Sequence, residues 1–269
     1  MLPINQIICG DNVATMATFP DACIDLVVTS PPYDNLRTYG GHSWDFEGVA
    51  QQLWRVIKPG GVVVWVVADA TIDGSETGTS FRQALRFMEI GFRLHDTMIY
   101  EKDSCQFPET NRYYPVAEIM FVLSKGKPAF VNLIADRPNS CAGQSVATGT
   151  KRERDGSLSK VSASRVAPER TVKEFGVRGN VWRYRVGLGK VSQDRFAHRH
   201  PAIFPEALAR DHILSWSNEG DIVLDPFIGS GTTAKMSRLM GRKFVGIEIN
   251  PEYCEIARNR LRQGVLEFT

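Results

Sequence analysis

The chain has 269 residues, 43% hydrophobic and 23% charged, with a formal net charge of +2. This composition excludes a chain disordered throughout and allows one large α/β domain with an insertion, or two small domains. The strongest apolar run, Val62 to Ala68, is too short to cross a bilayer, and the N-terminus lacks a basic flank leading into an apolar stretch, so the expectation is a soluble, cytoplasmic protein without a membrane partner.

Up to about Ser124, short apolar runs alternate with helix-like segments, the pattern of βα units around a largely parallel sheet. CIDLVVTS (Cys23 to Ser30) reads as a strand, and FEGVAQQLWRVIKPG (Phe46 to Gly60) as a helix stopped by Pro59 and Gly60. GGVVVWVVAD follows as a strand. Its residues Val62 to Val67 are apolar throughout, as a central strand buried on both faces requires. SFRQALRFMEIG then reads as a helix, and FRLHDTMIYEK and VAEIMFVLSKG as the next two strands.

From about Ala135 to His198 the periodicity fails and the composition turns to Ser, Gly, Arg and Lys. Asp136 to Arg199 carries 14 Lys and Arg against 6 Asp and Glu, so the rest of the chain is net negative. A loop-rich insertion or small second domain is expected here, with the charge of a polyanion-binding module or of basic surface loops that touch nothing. The α/β pattern returns with the helix PEALARDHILSWS, the strand DIVLDPF, the helix TTAKMSRLMG, the strand KFVGIEI and the helix PEYCEIARNRLRQG. The expected division is a catalytic domain of residues 1–135 and 199–269 with residues 136–198 inserted.

DIVLDPFIGSGTTA (Asp221 to Ala234) places a Gly-x-Gly turn between a strand and a helix. Gly229 and Gly231 let the backbone approach a ligand, and the helix after them offers free N–H groups. Glu248, at the end of the next strand, is positioned to accept from ribose hydroxyls, which points to an adenosine-containing ligand. A tight turn without a ligand is the alternative. No Lys follows the second glycine, so this is not a P-loop. Too little chain follows Gly231 for the βα units a dinucleotide domain needs after its first loop. The rest of the sheet must come from the N-terminal half, a permuted arrangement.

TSPPY (Thr29 to Tyr33) and DPFIGSGTT (Asp225 to Thr233), in that order, resemble the motifs of the S-adenosylmethionine-dependent DNA amino-methyltransferases, which modify cytosine N4 or adenine N6, and the order resembles that of their β group. HPAIFPEAL (His200 to Leu208) is similar to the segment that helps enclose the methionine end of the cofactor, and ICGDN (Ile8 to Asn12) to the acidic motif that contacts adenine. The resemblance implies a Rossmann-like α/β methyltransferase fold with a mostly parallel, circularly permuted sheet and an inserted target-recognition region. It also implies S-adenosyl-L-methionine as cofactor. Asp225, Phe227, Gly229, Gly231, Thr232 and Phe204 would then shape the methionine pocket, Glu248 would take the ribose hydroxyls and Asp11 the adenine amine. Asp11 as a turn or helix cap, and Asp225 as a loop hydrogen-bonder, are the structural alternatives.

SPPY holds no strong nucleophile, acid or base. Methyl transfer to an exocyclic amine needs that amine held pyramidal and in line with the methyl group. The Ser30 hydroxyl and Pro31 carbonyl can accept from the amino hydrogens, with Pro31 and Pro32 stiffening the backbone. The target atom is inaccessible inside a duplex, so the base must be flipped out, and Tyr33 is expected to stack on it. C5-cytosine chemistry needs a cysteine nucleophile, typically after a proline. None of Cys9, Cys23, Cys105, Cys141 and Cys254 follows a proline, and none forms a close pair of the kind that binds zinc. Within the family, Ser before Pro-Pro is associated with N4-cytosine, so Ser30 favours cytosine, with adenine N6 the alternative.

TKRERDGSLSK and VRGNVWRYRVGLGKVSQDRFAHRH interleave basic residues with Trp182, Tyr184 and Phe196. Lys151, Arg152, Arg154, Arg178, Arg183, Arg185 and Arg195 are expected to contact DNA, and an aromatic to fill the gap left by the flipped base. Alternatively, Trp182 and Tyr184 form a small core beneath basic loops. His198 and His200 lack an acidic or cysteine cluster, so no metal is expected. The expected partner is double-stranded DNA, with a cognate restriction nuclease and a homodimer left open. Methylation of RNA or of a protein glutamine amide, and a DNA-binding module that has lost catalysis, are the competing readings.

Overall fold

The computed structural model describes residues 1–34, 43–104, 111–144, 150–160, 171–187, 189–192 and 194–266, excluding the side chains of Lys160, Arg195, Phe196 and residues 263–266. Cys105 and the side chains of Arg195 and Phe196 therefore lie outside the described residues.

Eight strands form one sheet: β1 (Gln6–Cys9), β2 (Ile24–Thr29), β3 (Ile57–Val67), β4 (Arg93–Lys102), β5 (Ala117–Ser124), β6 (Val181–Tyr184), β7 (Ile222–Asp225) and β8 (Lys243–Glu248). Their order is β1-β8-β7-β2-β3-β5-β4-β6, and every neighbouring pair is parallel except the two that involve β5. The two last strands of the chain thus insert between the two first, the permuted arrangement expected.

Val62 to Val67 are all buried, because β3 lies between β2 and β5 with side chains covered on both faces. The helix before it, α2 (Phe46–Val56), starts where the Asp45 side chain accepts from the Gly48 N–H at 3.0 Å and buries Val49, Ala50, Leu53 and Val56. It ends earlier than expected. Ile57 is already extended, at φ −69° and ψ 133°, and β3 runs through Pro59 and Gly60, so the Pro-Gly pair sits inside the strand rather than at the helix stop. Asp25 fastens this end of the sheet, accepting from Lys58 Nζ at 2.6 Å and from the Ile222 N–H at 2.9 Å.

Helices α1 (Asn12–Ala17), α3 (Thr79–Ile90), α4 (Glu206–Trp216), α5 (Thr232–Leu239) and α6 (Pro251–Leu266) accompany the sheet, with a 3₁₀ turn at Arg195–Arg199 and a short ribbon pairing Thr71–Ile72 with Ser75–Glu76. One core cluster is aromatic around Trp65, whose ring lies 5.1 Å from Phe87 and 6.2 Å from Phe46 and from Phe227. The indole N–H of Trp65 donates to Gln83 Oε1 at 2.9 Å, satisfying the polar group it buries. No described helix is long and apolar enough to cross a membrane.

The chain divides into two compact units, one of Met1–Asn132 with Asn180–Thr269 and a second of Leu133–Gly179. The second unit is loop-rich among its described residues. An antiparallel ribbon pairs Thr150–Arg152 with Leu158–Lys160, and another pairs Arg137–Pro138 with Phe175–Gly176. The first unit reclaims part of the expected insertion: β6 runs parallel to β4 as an edge strand of the main sheet. Trp182 is buried there, stacked on His212 at 4.6 Å, and Tyr184 Oη donates to Asp211 Oδ2 at 2.8 Å. Trp182 belongs to the core of the main sheet and Tyr184 is half-buried beside it, because VWRY alternates inward rings with outward Val181 and Arg183.

Candidate active site

A cavity of about 1280 Å³ opens at the C-terminal ends of β1, β8, β7, β2 and β3. Ser30, Pro31, Pro32 and Tyr33 line it from β2, and Asp225, Phe227, Gly229 and Thr232 from β7 and the glycine loop. Glu248 lines it from the end of β8, and Asp11 and Phe204 complete the set expected from the sequence. Gly231 does not line it.

The glycine loop is built by close packing. Gly229 has φ +48°, and a Cβ there would lie 2.9 Å from His200 Nε2. Gly231 has φ +86°, and a Cβ there would lie 2.9 Å from Ala257 Cα, so this second glycine lets α5 start against α6 rather than shaping the pocket. Both Glu248 carboxylate oxygens are oriented by backbone donors, Oε2 by the Gly229 N–H at 3.0 Å and Oε1 by the Asn250 N–H at 2.9 Å. Asp11 caps α1, its Oδ1 accepting from the Ala14 N–H at 2.8 Å, so the helix-cap alternative holds for one of its oxygens.

Asp225 is buried. It accepts from Thr29 Oγ1 at 2.6 Å, joining the end of the SPPY strand to the cofactor loop across 196 residues of sequence, and from the Phe227 N–H at 3.0 Å. Burial pushes its carboxyl up to about 6, against the hydrogen bonds from Thr29, Thr233 and Phe227 and with the aid of the nearby Glu248 charge.

Beyond SPPY, Ser30 Oγ lies 2.7 Å from Tyr33 Oη, and Tyr33 Oη donates to Glu118 Oε2 at 2.9 Å. Lys102 Nζ donates to Glu118 Oε1 at 3.1 Å. Tyr100 stands opposite Glu118 in the sheet, and burial raises its phenol above the ordinary range, with the Glu118 and Asp103 charges adding. After SPPY, Asp34 turns the chain at φ +42°, accepting from the Ala70 N–H at 3.1 Å and Thr77 Oγ1 at 2.7 Å. Burial opposes them, yet these hydrogen bonds hold its carboxyl below the usual range.

Sequence reasoning missed three features. Glu118 and Lys102 stand on separate strands, and only the antiparallel register of β4 and β5 brings them to the cavity. Trp44, a lining residue 5.0 Å from Phe227, precedes α2 without a motif. Behind the glycine loop, fully buried Arg260 donates to Ser230 O and Thr232 Oγ1, both at 2.9 Å, to Asp194 Oδ2 at 2.8 Å and to Glu206 Oε1 at 2.5 Å. Lys235 shares the two carboxylates at 2.9 and 3.0 Å, giving two cations and two anions in one network. A row of alternating Arg residues in α6 gave no sign that this one is buried.

Of the basic residues expected to meet DNA, Lys151, Arg152 and Arg154 are exposed on or beside the ribbon of the second unit. Arg183 and Arg185 are exposed on the first unit, Arg183 3.7 Å from Glu101. Arg178 is engaged by Asp136, with Nε 3.0 Å from Oδ2. Among the described residues, no group of three or more His, Cys, Asp or Glu could hold a metal ion.

The donor set fits S-adenosylmethionine. The Glu248 carboxylate at the strand end can accept from a diol, the Gly229 cradle has room that a Cβ would fill, and His198 Nε2 on the cavity wall is buried without a hydrogen-bond partner among the described residues. Residues 24–259 match the model of a DNA methylase family. The chain is 60% identical to the orphan methyltransferase M.BamHII of Bacillus amyloliquefaciens over 91% of each chain. It is 30% identical to the DNA adenine methyltransferase YhdJ of Escherichia coli (strain K12), over 95% of this chain and 82% of that one. In fold it resembles the solved PvuII DNA methyltransferase (cytosine-N4-specific), with a TM-score of 0.67 and 20% identity over 94% of this chain and 85% of that one. Solved neighbours in fold hold S-adenosylmethionine, and it is the cofactor of this enzyme too. The permuted sheet, the two motifs on one cavity and these matches place the chain in the S-adenosylmethionine-dependent DNA methylase family that acts on cytosine N4 or adenine N6.

Proposed function

We propose that the enzyme methylates the N4 amine of a cytosine flipped out of double-stranded DNA. The observation that carries this reading is the opening of Ser30, Pro31 and Tyr33 onto the same cavity as Glu248 and the glycine loop. S-adenosylmethionine supplies an electrophilic methyl group. Glu248, its carboxylate aimed by two backbone N–H groups, receives the ribose hydroxyls, and the second oxygen of Asp11 is left for the adenine amine. Asp225, Phe227, Gly229, Thr232 and Phe204 enclose the methionine end.

Ser30 Oγ and the Pro31 carbonyl accept from the two amine hydrogens, and the Tyr33 ring carries the base. The site thereby stabilises an amine that becomes cationic during transfer. Lys151, Arg152, Arg154, Arg183 and Arg185 bind phosphates, whereas Arg178, paired with Asp136, contributes less. The second unit, Leu133–Gly179, recognises the target sequence.

Adenine N6 is the second reading, favoured by the Escherichia coli relative, whose name states an adenine target. Mass spectrometry of nucleosides from unmethylated DNA treated with the enzyme decides between them. N4-methylcytosine is expected. N6-methyladenine alone establishes the second reading, and no transfer to any DNA refutes both.

A further inference from the structure

We infer that Glu118 is a positioning residue for methyl transfer, acting through Tyr33 to fix which way the Ser30 hydroxyl points. The inference rests on the role proposed above for Ser30. A hydroxyl has one hydrogen and two lone pairs, and beside an amine it is useful only while its hydrogen is directed elsewhere. An ionised carboxylate only accepts, so the Tyr33 hydrogen goes to Glu118 Oε2 at 2.9 Å. The Tyr33 oxygen then has only lone pairs to offer Ser30, and the 2.7 Å contact between them uses the Ser30 hydrogen. What Ser30 presents to the cavity is therefore acceptor alone, the polarity an amine N–H requires. Lys102 Nζ, 3.1 Å from Glu118 Oε1, anchors the far end of the chain and holds the carboxylate in place. Side chains here are half-buried, with Glu118 16% and Lys102 26% exposed, so water competes weakly for these bonds.

This role changes what Tyr33 is for. A stacking face needs the ring alone, and phenylalanine would serve. A polarity relay also needs the hydroxyl. Replacing Glu118 by glutamine sharpens the point, because the amide oxygen stays with the Lys102 ammonium and the amide NH2 faces Tyr33. The Tyr33 oxygen then accepts from the amide, its hydrogen turns to Ser30 Oγ, and the Ser30 hydrogen is driven towards the amine. Donor then meets donor at the reacting atom.

The test is a double-mutant cycle on the full-length enzyme with S-adenosylmethionine and unmethylated genomic DNA, using Glu118→Gln, Tyr33→Phe and the double variant. In Glu118→Gln we expect kcat to fall about tenfold or more, with KM for cofactor and DNA within about twofold of wild type, since only an interaction at the reacting amine is lost. Tyr33→Phe should lose kcat too, and adding Glu118→Gln to it should cost nothing more. A merely structural Glu118 would give the same loss in both backgrounds. That additive result, or a wild-type kcat in Glu118→Gln, overturns the inference. Should Glu118→Gln fail to fold by thermal unfolding, Tyr33→Phe decides alone, and a wild-type kcat there overturns it. A wild-type enzyme that transfers no methyl group to DNA would instead refute the proposed function, so the two failures are distinguishable.

Discussion

Replacing Asp225 by asparagine removes a charge that the fold buries at the foot of the glycine loop, and the consequence can be worked from its surroundings. The wild-type carboxyl is raised from an ordinary 3.8 to about 6, chiefly by burial. At about 1.4 kcal/mol per pH unit, the difference corresponds to about 3 kcal/mol. The sign follows from proton counting. Between pH 4 and 6 the unfolded chain has lost this proton while the folded chain keeps it, so the stability of the native state falls as pH rises through that window and stays lower above it. Asparagine retains an oxygen for the Thr29 hydroxyl and the Phe227 N–H but does not titrate. The unfolding free energy of wild type minus that of Asp225→Asn, measured in urea at several pH values, should therefore drop by about 2.4 kcal/mol from pH 4 to 7. Taking the difference cancels the other titrating groups. If this carboxylate faces the cationic methionine end of the cofactor, wild-type affinity for S-adenosylmethionine should rise up to about tenfold per pH unit below 6 and level off above it. Calorimetry on Asp225→Asn should show weaker binding without that slope. A stability difference that is flat with pH, or that moves in favour of wild type as pH rises, would refute the reasoning.

Arg260→Met leaves Asp194 and Glu206 with Lys235 as the remaining cation of the network and should cost about 3–5 kcal/mol in urea unfolding. A loss below about 1 kcal/mol would show that the network is not the brace it resembles. Gly229→Ala puts a methyl group 2.9 Å from His200 Nε2 in a backbone conformation that alanine resists. It should weaken S-adenosylmethionine binding about tenfold or more while far-ultraviolet circular dichroism stays native, and unchanged affinity would count against the cradle. Changing Lys151, Arg152 and Arg154 together to alanine should lower the slope of log affinity for DNA against log salt by about 2 to 3, at about 0.9 per phosphate contact. An unchanged slope would remove this ribbon from the DNA interface.

What could be read from the sequence follows a physical boundary. SPPY and the glycine loop were legible because proline and glycine dictate backbone shape from within a few consecutive residues, and both motifs turn on such shapes. The six apolar residues Val62 to Val67 declared a central strand in the same local way. Charge patterning said less about the aromatics. Arg and Lys between aromatics suggested a nucleic-acid surface at VWRY, and the alternation there makes a strand that leaves Arg183 outside but buries Trp182. The period-2 reading was available and would have moved these residues into the sheet. Pro59 misled for a related reason, since it ends a helix only where the helix reaches it, and here Ile57 had already turned into β3.

The polar contacts that refine the site were not legible, because each depends on register between segments far apart in sequence. Glu118 reaches Tyr33 only because β5 runs antiparallel to β3 and β4, which brings its N-terminal end to the side of the sheet where the parallel strands finish. A shift of one residue in that pairing would turn the carboxylate to the opposite face, leaving the Tyr33 hydrogen free to point at Ser30. Arg260 is selected over Arg258 and Arg262 by the roll of α6 against the glycine loop, an angle that the helix sequence does not set by itself. The motifs therefore establish what chemistry the cavity can hold, and the register of β4, β5 and α6 establishes the direction in which its hydrogen bonds run. If SPPY is the catalytic motif proposed above, the direction in which its serine and tyrosine hydroxyls point is set by Glu118 and Lys102, groups that the motif itself does not contain.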